Sequence, residues 1–313
     1  MEKALVTGAG GFVGANLVRR LLHDGAEVHV FLRPESNRWR LESVLDDVHV
    51  HPVDLRDAEG VQKAVESICP EFIYHLAVYG AYSFQTDTKT ILETNIMGTA
   101  NLVGACAKTD FEAFVNTGSS SEYGFKNHAP AEDELPEPNS DYAVSKVSTT
   151  LFCSYTSRKL ERPITTLRLY SVYGAYEEPR RLMPTLIQFG LQGKLPPLVS
   201  PDTARDFIYV DDVSEAYIRT AHSKTLDYGE VLNVGSGIQT TLRDVVEVAR
   251  EVMNIQQEPE WGSMEGRIWD SSVWVANNNR IRERLNWKPQ VDFREGFARM
   301  VEWFREHQHY YAE

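Results

Sequence analysis

Two residues four apart, Tyr142 and Lys146 in Y-A-V-S-K, carry the first chemical signal of this chain. At the start of a helical pattern, that spacing puts a phenol and an ammonium on one helix face. A neighbouring ammonium stabilises a tyrosinate. The pair therefore predicts a phenol of lowered pKa, able to give or take a proton near neutral pH. Upstream, V-N-T-G-S-S-S-E-Y-G at 115–124 ends an apolar run in three hydroxyls, Ser119, Ser120 and Ser121. Near the N-terminus, T-G-A-G-G-F-V-G at 7–14 supplies Gly8, Gly11 and Gly14. These permit a tight turn and close approach of a pyrophosphate. Phe12 and Val13 open a helix whose free N–H groups and positive dipole end suit phosphate. The spacing is G-x-x-G-x-x-G rather than the G-x-G-x-x-G of ordinary dehydrogenases. A tyrosine–lysine pair alone is common by chance; following a nucleotide turn and a hydroxyl-ended strand, it is not.

The elements that must position these groups alternate. Ala4–Val6, Val28–Leu32, Val48–Val53, Phe72–Leu76, Phe111–Asn116 and Ile164–Leu169 read as strands. Helical patterns lie near 12–23, 57–67, 88–108 and 141–160. Strands without clean polar alternation, each followed by a helix, predict an α/β, doubly wound parallel sheet of Rossmann type, covered on both faces. After Gly174 prolines cluster, and helical patterns near 181–193, 211–223, 241–252 and 293–309 alternate with short extended pieces. This predicts a dinucleotide-binding domain over 1–174 that carries the catalytic residues. A smaller substrate lobe spans 175–313, with some segments returning to the first domain.

Strand ends set the cofactor contacts. An NAD site usually presents an acid at the end of the second strand to accept from the ribose 2′-hydroxyl. Here the strand runs V-H-V-F-L-R, leaving Leu32 in that place with Arg33 after it and Arg38 close by. Guanidinium without a carboxylate suits a 2′-phosphate, which predicts NADP, with NAD as the alternative. Asp54 and Leu55 end the third strand, where Asp54 can accept from the adenine amino group. His75, Leu76 and Ala77 end the fourth, along the adenine and ribose path.

Composition excludes several classes. The formal charge is −13, which argues against sequence-independent nucleic-acid binding. Cys69, Cys106 and Cys153 form no C-x-x-C pair and read as buried thiols of a reduced, cytoplasmic protein. No signal-peptide pattern and no apolar run of membrane-spanning length is visible. Nine histidines show no H-x-x-x-H pair with a third ligand, so no metal site is expected.

The motifs together resemble the extended short-chain dehydrogenase/reductases of the nucleotide-sugar epimerase, dehydratase and reductase group. They are T-G-A-G-G-F-V-G (7–14), H-L-A (75–77), T-N-I-M-G-T (94–99), S-S-S-E-Y-G (119–124), Y-A-V-S-K (142–146), L-R-L-Y-S-V-Y-G (167–174) and R-D-F-I-Y-V-D-D-V (205–213). The resemblance implies Tyr142 as acid/base, Lys146 holding the nicotinamide ribose, and Ser119 hydrogen-bonding the same sugar oxygen. It extends the cofactor contacts to Thr117, Tyr170 and Val172. It makes Asn95 structural and brings Arg205 to the nucleotide diphosphate. Ser171 stands where galactose-type epimerases keep an asparagine. Ser83, Ser120, Arg180 and Arg267 complete the expected substrate contacts, Arg180 being equally readable as solvated surface. The resemblance also implies a homodimer through the helices near 88–108 and 141–160, whose small and apolar residues include Ala100, Leu102, Val103, Ala105, Val144, Val147 and Leu151.

In the family's 4,6-dehydratases an acid–base pair follows the catalytic hydroxyl directly. Here Ser120 and Ser121 occupy those places, and serine is too weak a base for a carbon acid. Glu122 comes one residue late and, on an extended backbone, faces the other way. The expected substrate is therefore a nucleotide-linked 4-keto-6-deoxy sugar, reduced at C4 by NADPH with Tyr142 as proton donor. S-S-S-E-Y-G also resembles the corresponding stretch of such reductases. The alternatives are an NAD-dependent 4-epimerase, a dehydratase, a non-sugar ketone reductase and a non-catalytic nucleotide sensor.

Overall fold

A computed structural model describes residues 2–264 and 273–311. Its centre is a seven-stranded, all-parallel sheet. The strands are β1 (Lys3–Thr7), β2 (Glu27–Leu32), β3 (His49–Pro52), β4 (Phe72–His75), β5 (Ala113–Ser119), β6 (Ile164–Leu169) and, much later in the chain, β10 (Val231–Val234). Their spatial order is β10-β6-β5-β4-β1-β2-β3. The order reverses between β1 and β4, which opens a crevice at the carboxyl ends where ligands of such sheets bind. Six strands were legible; the seventh is the segment that returns from the C-terminal half.

The absence of polar alternation has a direct cause. In β1, Ala4 and Val6 pack with Leu17, Val18 and Leu21 of α1 (Phe12–His23) and with Val213, Ala216 and Tyr217 of α7 (Val210–His222). Leu5, between them, faces Val61 and Val65 of α2 (Ala58–Ile68) and Leu102 and Val103 of α4 (Gly98–Cys106). Both faces are buried, so both must be apolar.

The helix expected over 88–108 is not continuous. It is α3 (Thr88–Leu92), a π-helical turn at Glu93–Met97, then α4. The turn sets Asn95 to accept from Tyr79 N–H at 2.8 Å and to donate to the Tyr79 carbonyl and Ser145 Oγ, each at 2.8 Å. Asn95 thus ties the loop after β4 to α5 (Asp141–Leu160), the structural role expected of it. Leu102, Val103 and Ala105 are buried inside the monomer against α2, so the expected dimer face is narrower than the helix. Cys106 and Cys153 are buried, whereas Cys69 is exposed at the left-handed end of α2, contrary to expectation.

The later chain builds a second core. Leu186 of α6 (Leu182–Gly190), Val245 and Val246 of α8 (Leu242–Met253), and Phe297, Met300 and Phe304 of α10 (Phe293–Glu306) pack together. Short strands β7 (Ser171–Tyr173) and β9 (Phe207–Tyr209) pair in parallel, while β8 (Ala204–Arg205) and β11 (Thr240–Thr241) pair antiparallel. The last helix of the set is α9 (Asn279–Leu285). Among the described residues, no helix is long and apolar enough to cross a membrane.

Candidate active site

The three serines mark a change of structure. β5 ends at Ser119, and Ser120–Tyr123 form one 3-10 turn. Ser119 is its extended N-cap: Oγ accepts from Ser121 N–H at 3.1 Å, while Glu122 Oε1 accepts from Ser119 N–H at 2.9 Å. This reciprocal capping fixes where the Ser119 hydroxyl stands. Glu122 is fully buried. Its carboxylate also accepts from Arg168 Nε at 2.8 Å and Thr150 Oγ1 at 3.0 Å. It faces into the protein, but through the 3-10 turn rather than on the extended backbone expected of it, and its carboxylate is held by these three donors.

Tyr142 lies in the first turn of α5, behind the N-cap Ser140, which accepts from Ala143 N–H at 3.2 Å. One turn on, Lys146 is buried and its ammonium donates to the Thr117 carbonyl at 2.7 Å. Ser119, Tyr142 and Lys146 are thus gathered at the end of β5. The electrostatics differ from the expectation. Burial raises the Tyr142 phenol, and a polar interaction with the Ser119 side chain only opposes this. The predicted lowering by Lys146 is not seen: burial outweighs the opposing Ser119 contact, and the Lys146 ammonium is turned to the Thr117 carbonyl. Burial pushes Lys146 itself down to about 8, with Glu122 working the other way.

The glycine turn serves its own packing first. Gly8 has φ +72°, and a Cβ there would lie 2.5 Å from the Leu76 and Ala77 backbone; one on Gly14 would lie 2.3 Å from the Gly8 carbonyl oxygen. Gly11 caps α1 without a side-chain partner, and no acid occupies the first turn. The N–H groups of Phe12 and Val13 therefore face the crevice end with no competing carboxylate, as an anion requires. Leu76 and Ala77 adjoin this turn. Thr117 Oγ1 pairs with Tyr217 OH at 2.6 Å, Tyr170 is buried, and Val172 is half-buried in β7.

The second strand ends as read. Leu32 is buried, Arg33 is exposed with a loose 3.5 Å pairing to Glu35, and Arg38 precedes a 3-10 stretch, Trp39–Asp47. A Cβ on Gly10 would be 3.3 Å from the Asn37 carbonyl oxygen, so this loop packs against the glycine turn. Two expectations on the adenosine path are corrected. His75 is buried between Thr7 Oγ1 at 2.7 Å and Thr99 Oγ1 at 2.8 Å, a clamp within the sheet rather than a free lining group. Asp54 is bonded by Arg56 at 2.6 Å, which holds its carboxyl below the usual range and occupies it, while Leu55 is buried with its carbonyl accepting from Asn101 at 2.9 Å.

On the lobe side, Arg180 stands 5.2 Å over Phe84 and Arg181 5.5 Å over Tyr82, while Tyr82 and Phe84 stack on one another. The loop after β4 and the start of α6 therefore meet across the cleft. Ser83, between the rings, is exposed. Ser120 is buried, and Ser171 lies half-buried in β7, where its N–H donates to the Asp206 carbonyl at 2.9 Å. Arg205 donates to the Ala204 carbonyl at 2.7 Å and stands 5.2 Å over Trp274. Arg267 lies outside the described residues.

Three residues of consequence were missed. Arg40 is buried and joins the first loop to the lobe through the Tyr176 carbonyl at 2.7 Å and Glu178 at 3.0 Å. Arg168 backs the catalytic turn. Asp206 collects N–H groups from Ser236, Gly237 and Ala276 at 2.7–2.9 Å.

Residues 4–235 match the NAD dependent epimerase/dehydratase family, and the chain belongs to it. A UDP-glucose 4-epimerase of Mycolicibacterium smegmatis is 30% identical, with 97% of this chain and 98% of that protein aligned. A dTDP-glucose 4,6-dehydratase of Streptomyces griseus is 28% identical over 97% of this chain and 94% of its own. Among solved structures, Thermotoga maritima UDP-glucose 4-epimerase with UDP-glucose superposes with a TM-score of 0.89 at 26% identity, covering 97% of this chain and 99% of that one. The Thermus thermophilus UDP-glucose 4-epimerase complex with NAD has a TM-score of 0.85 at 29% identity, with coverage of 97% and 99%. The chain is therefore an enzyme of the epimerase/dehydratase type, on a Rossmann fold.

Proposed function

We propose that this chain is an NADPH-dependent 4-ketoreductase of a nucleotide-linked 4-keto-6-deoxy sugar. The observation that carries the reading is the catalytic turn. Ser119, Tyr142 and Lys146 converge, and the places where dehydratases keep their acid–base pair hold Ser120 and Ser121. The nearby Glu122 is consumed by Arg168, Thr150 and Ser119 N–H. No carboxylate is left at this turn to take a C5 proton, whereas hydride addition to a polarised carbonyl needs none. Ser119 and Tyr142 would hold the keto oxygen, Tyr142 supplying its proton as hydride arrives from the nicotinamide. Lys146 would hold the nicotinamide ribose. NADP in place of NAD is supported by buried Leu32 and exposed Arg33 at the end of β2. The cofactor would lie along Gly8–Gly14, Leu76, Ala77, Thr117, Tyr170 and Val172. The lobe over 175–313 would cover the sugar nucleotide, with Arg180 and Arg205 toward its phosphates.

A 4-epimerase is the second reading, favoured by the full-length similarity to UDP-glucose 4-epimerases and by NAD in a solved relative. It uses the same catalytic atoms. Absorbance at the NADPH band, followed with 4-keto-6-deoxy sugars on CDP, GDP, dTDP and UDP, separates the two. One keto sugar consuming NADPH mole for mole is the expected result; no consumption, with interconversion of two ordinary sugar nucleotides, sinks the reductase.

A homodimer remains part of the proposal. The inward face of α5 is polar: buried Lys146 donates to the Thr117 carbonyl of β5, Thr149 to the Lys146 carbonyl within the helix, Thr150 to Glu122, Ser154 to the Gly229 carbonyl ahead of β10, and Ser157 to the Arg162 carbonyl ahead of β6. Its outward residues Val144, Leu151 and Tyr155 are exposed and apolar, as are Leu92 and Met97 on the adjacent helices. An inverted helix of this kind suits a second copy of the same face.

A further inference from the structure

Away from the cofactor crevice, the β2–β3 edge of the sheet holds a cluster that the catalytic reading does not use. The parallel register sets His29 beside His49 and Phe31 beside His51. Paired and alternate strand residues share a face, so Glu27, His29, His49 and His51 lie on one side of the sheet. One ligand atom each from Glu27, His29 and His49 lies within 4.8 Å of the other two. His29 Nε2 is 2.9 Å from Glu27 Oε1, and the His29 and His49 rings stack with centroids 4.7 Å apart. His29 is buried, Glu27 half-buried and His49 exposed, so the cluster is anchored below and open above. No H-x-x-x-H or C-x-x-C spacing marks these residues in the sequence. These ligands are brought together by strand pairing across about twenty residues, which no local spacing rule detects.

We propose that Glu27, His29 and His49 bind one divalent transition-metal ion of the zinc type, clipping the four-residue edge strand β3 to β2. Two imidazole nitrogens and a carboxylate oxygen, with a fourth position toward solvent, are an ordinary donor set for zinc. His51 acts as the positioning residue, its Nε2 lying 2.9 Å from His29 Nδ1. In neutral His29 the proton sits on Nε2, because a carboxylate partner only accepts. In that state His51 Nε2–H donates to the bare His29 Nδ1; when metal takes His29 Nε2, His29 carries its proton on Nδ1 and donates it to His51 Nε2, whose own proton moves to His51 Nδ1, so both rings change tautomer and His51 orients the ring as outer partners of metal-bound histidines do. No proton need leave the pair. Lys3, next to Glu27 in the β1–β2 register, is the nearby cation; its ammonium donates to the Ile68 carbonyl at 3.1 Å.

The test uses the full, untagged chain, stripped with chelator and titrated with Co²⁺, then Zn²⁺. The expected result is one equivalent of cobalt with the visible bands of a four-coordinate site, displaced by zinc, and a thermal midpoint that rises with zinc. His49→Ala and Glu27→Ala, both at accessible positions, should abolish the cobalt spectrum while leaving NADPH turnover unchanged. His51→Gln should weaken binding by about 10–100-fold and shift the spectrum without abolishing it. Absence of stoichiometric cobalt binding overturns the proposal. So does binding of unchanged strength and spectrum in the His49 and Glu27 variants.

Discussion

The carboxyl ends of two strands of one sheet, β5 and β2, are built in opposite ways. At the end of β5 the polar groups around Ser119 are held by partners inside the fold. Glu122 has Arg168, Thr150 and the Ser119 N–H; Lys146 has the Thr117 carbonyl; Asn95 has the Tyr79 backbone and Ser145. At the end of β2, Arg33 is exposed, with a loose 3.5 Å pairing to Glu35 and a charge that also acts on Asp54. The first arrangement is over-determined, as catalytic geometry must be. The second leaves a guanidinium free to find a phosphate and leaves cofactor choice to a few exposed side chains. On the proposed reading the reacting atoms are rigidly placed, while cofactor selection would change with few substitutions.

The sharpest way to break this contrast is Tyr142→Phe. Turnover should fall by about 10²–10⁴-fold with NADPH affinity kept, measured by steady-state rates and by fluorescence titration of the cofactor. Retained turnover would remove Tyr142 from the chemistry. Glu122→Gln comes next. It leaves the buried Arg168 guanidinium without its counter-charge, which costs about 3–5 kcal/mol of stability in chemical denaturation. A loss confined to a few tenths would mean the turn is not held as described. Third, burial disfavours the Lys146 ammonium and pushes its pKa down to about 8. If the charged form holds the ribose, cofactor affinity is full below that pH and falls about tenfold per unit above it. A flat profile from pH 6 to 9 contradicts that role. The smallest effect belongs to β2: Arg33→Ala with Arg38→Ala should weaken NADPH about tenfold and leave NADH unchanged, narrowing the preference between them.

The same contrast explains what could be read from sequence. Parallel strands buried on both faces leave a plain apolar signature, so six of the seven main strands and the order of the motifs were legible. β10 was not, because Val231–Val234 is short and far along the chain from its neighbour β6. Ser119, Tyr142 and Lys146 converge as their motifs implied; Glu122 faces inward, but through a 3-10 turn that the extended reading did not foresee. The phenol's ionisation was misread, because i, i+4 spacing reports the helix face and not the burial that disfavours the tyrosinate. His75 and Asp54 were misplaced for a related reason: position at a strand end says nothing of a threonine or an arginine that reaches the group first. Arg40, Arg168 and Asp206 are buried charges whose partners lie far off in sequence, beyond any local pattern.

The most direct test of the central claim is the identity of the nucleotide the purified protein carries. Released in acid and weighed by mass spectrometry, it should be NADP, or the protein should arrive empty and take up NADPH in preference to NADH. Stoichiometric, tightly held NAD that survives purification would contradict the account, and would assign the same serine, tyrosine and lysine to an epimerase.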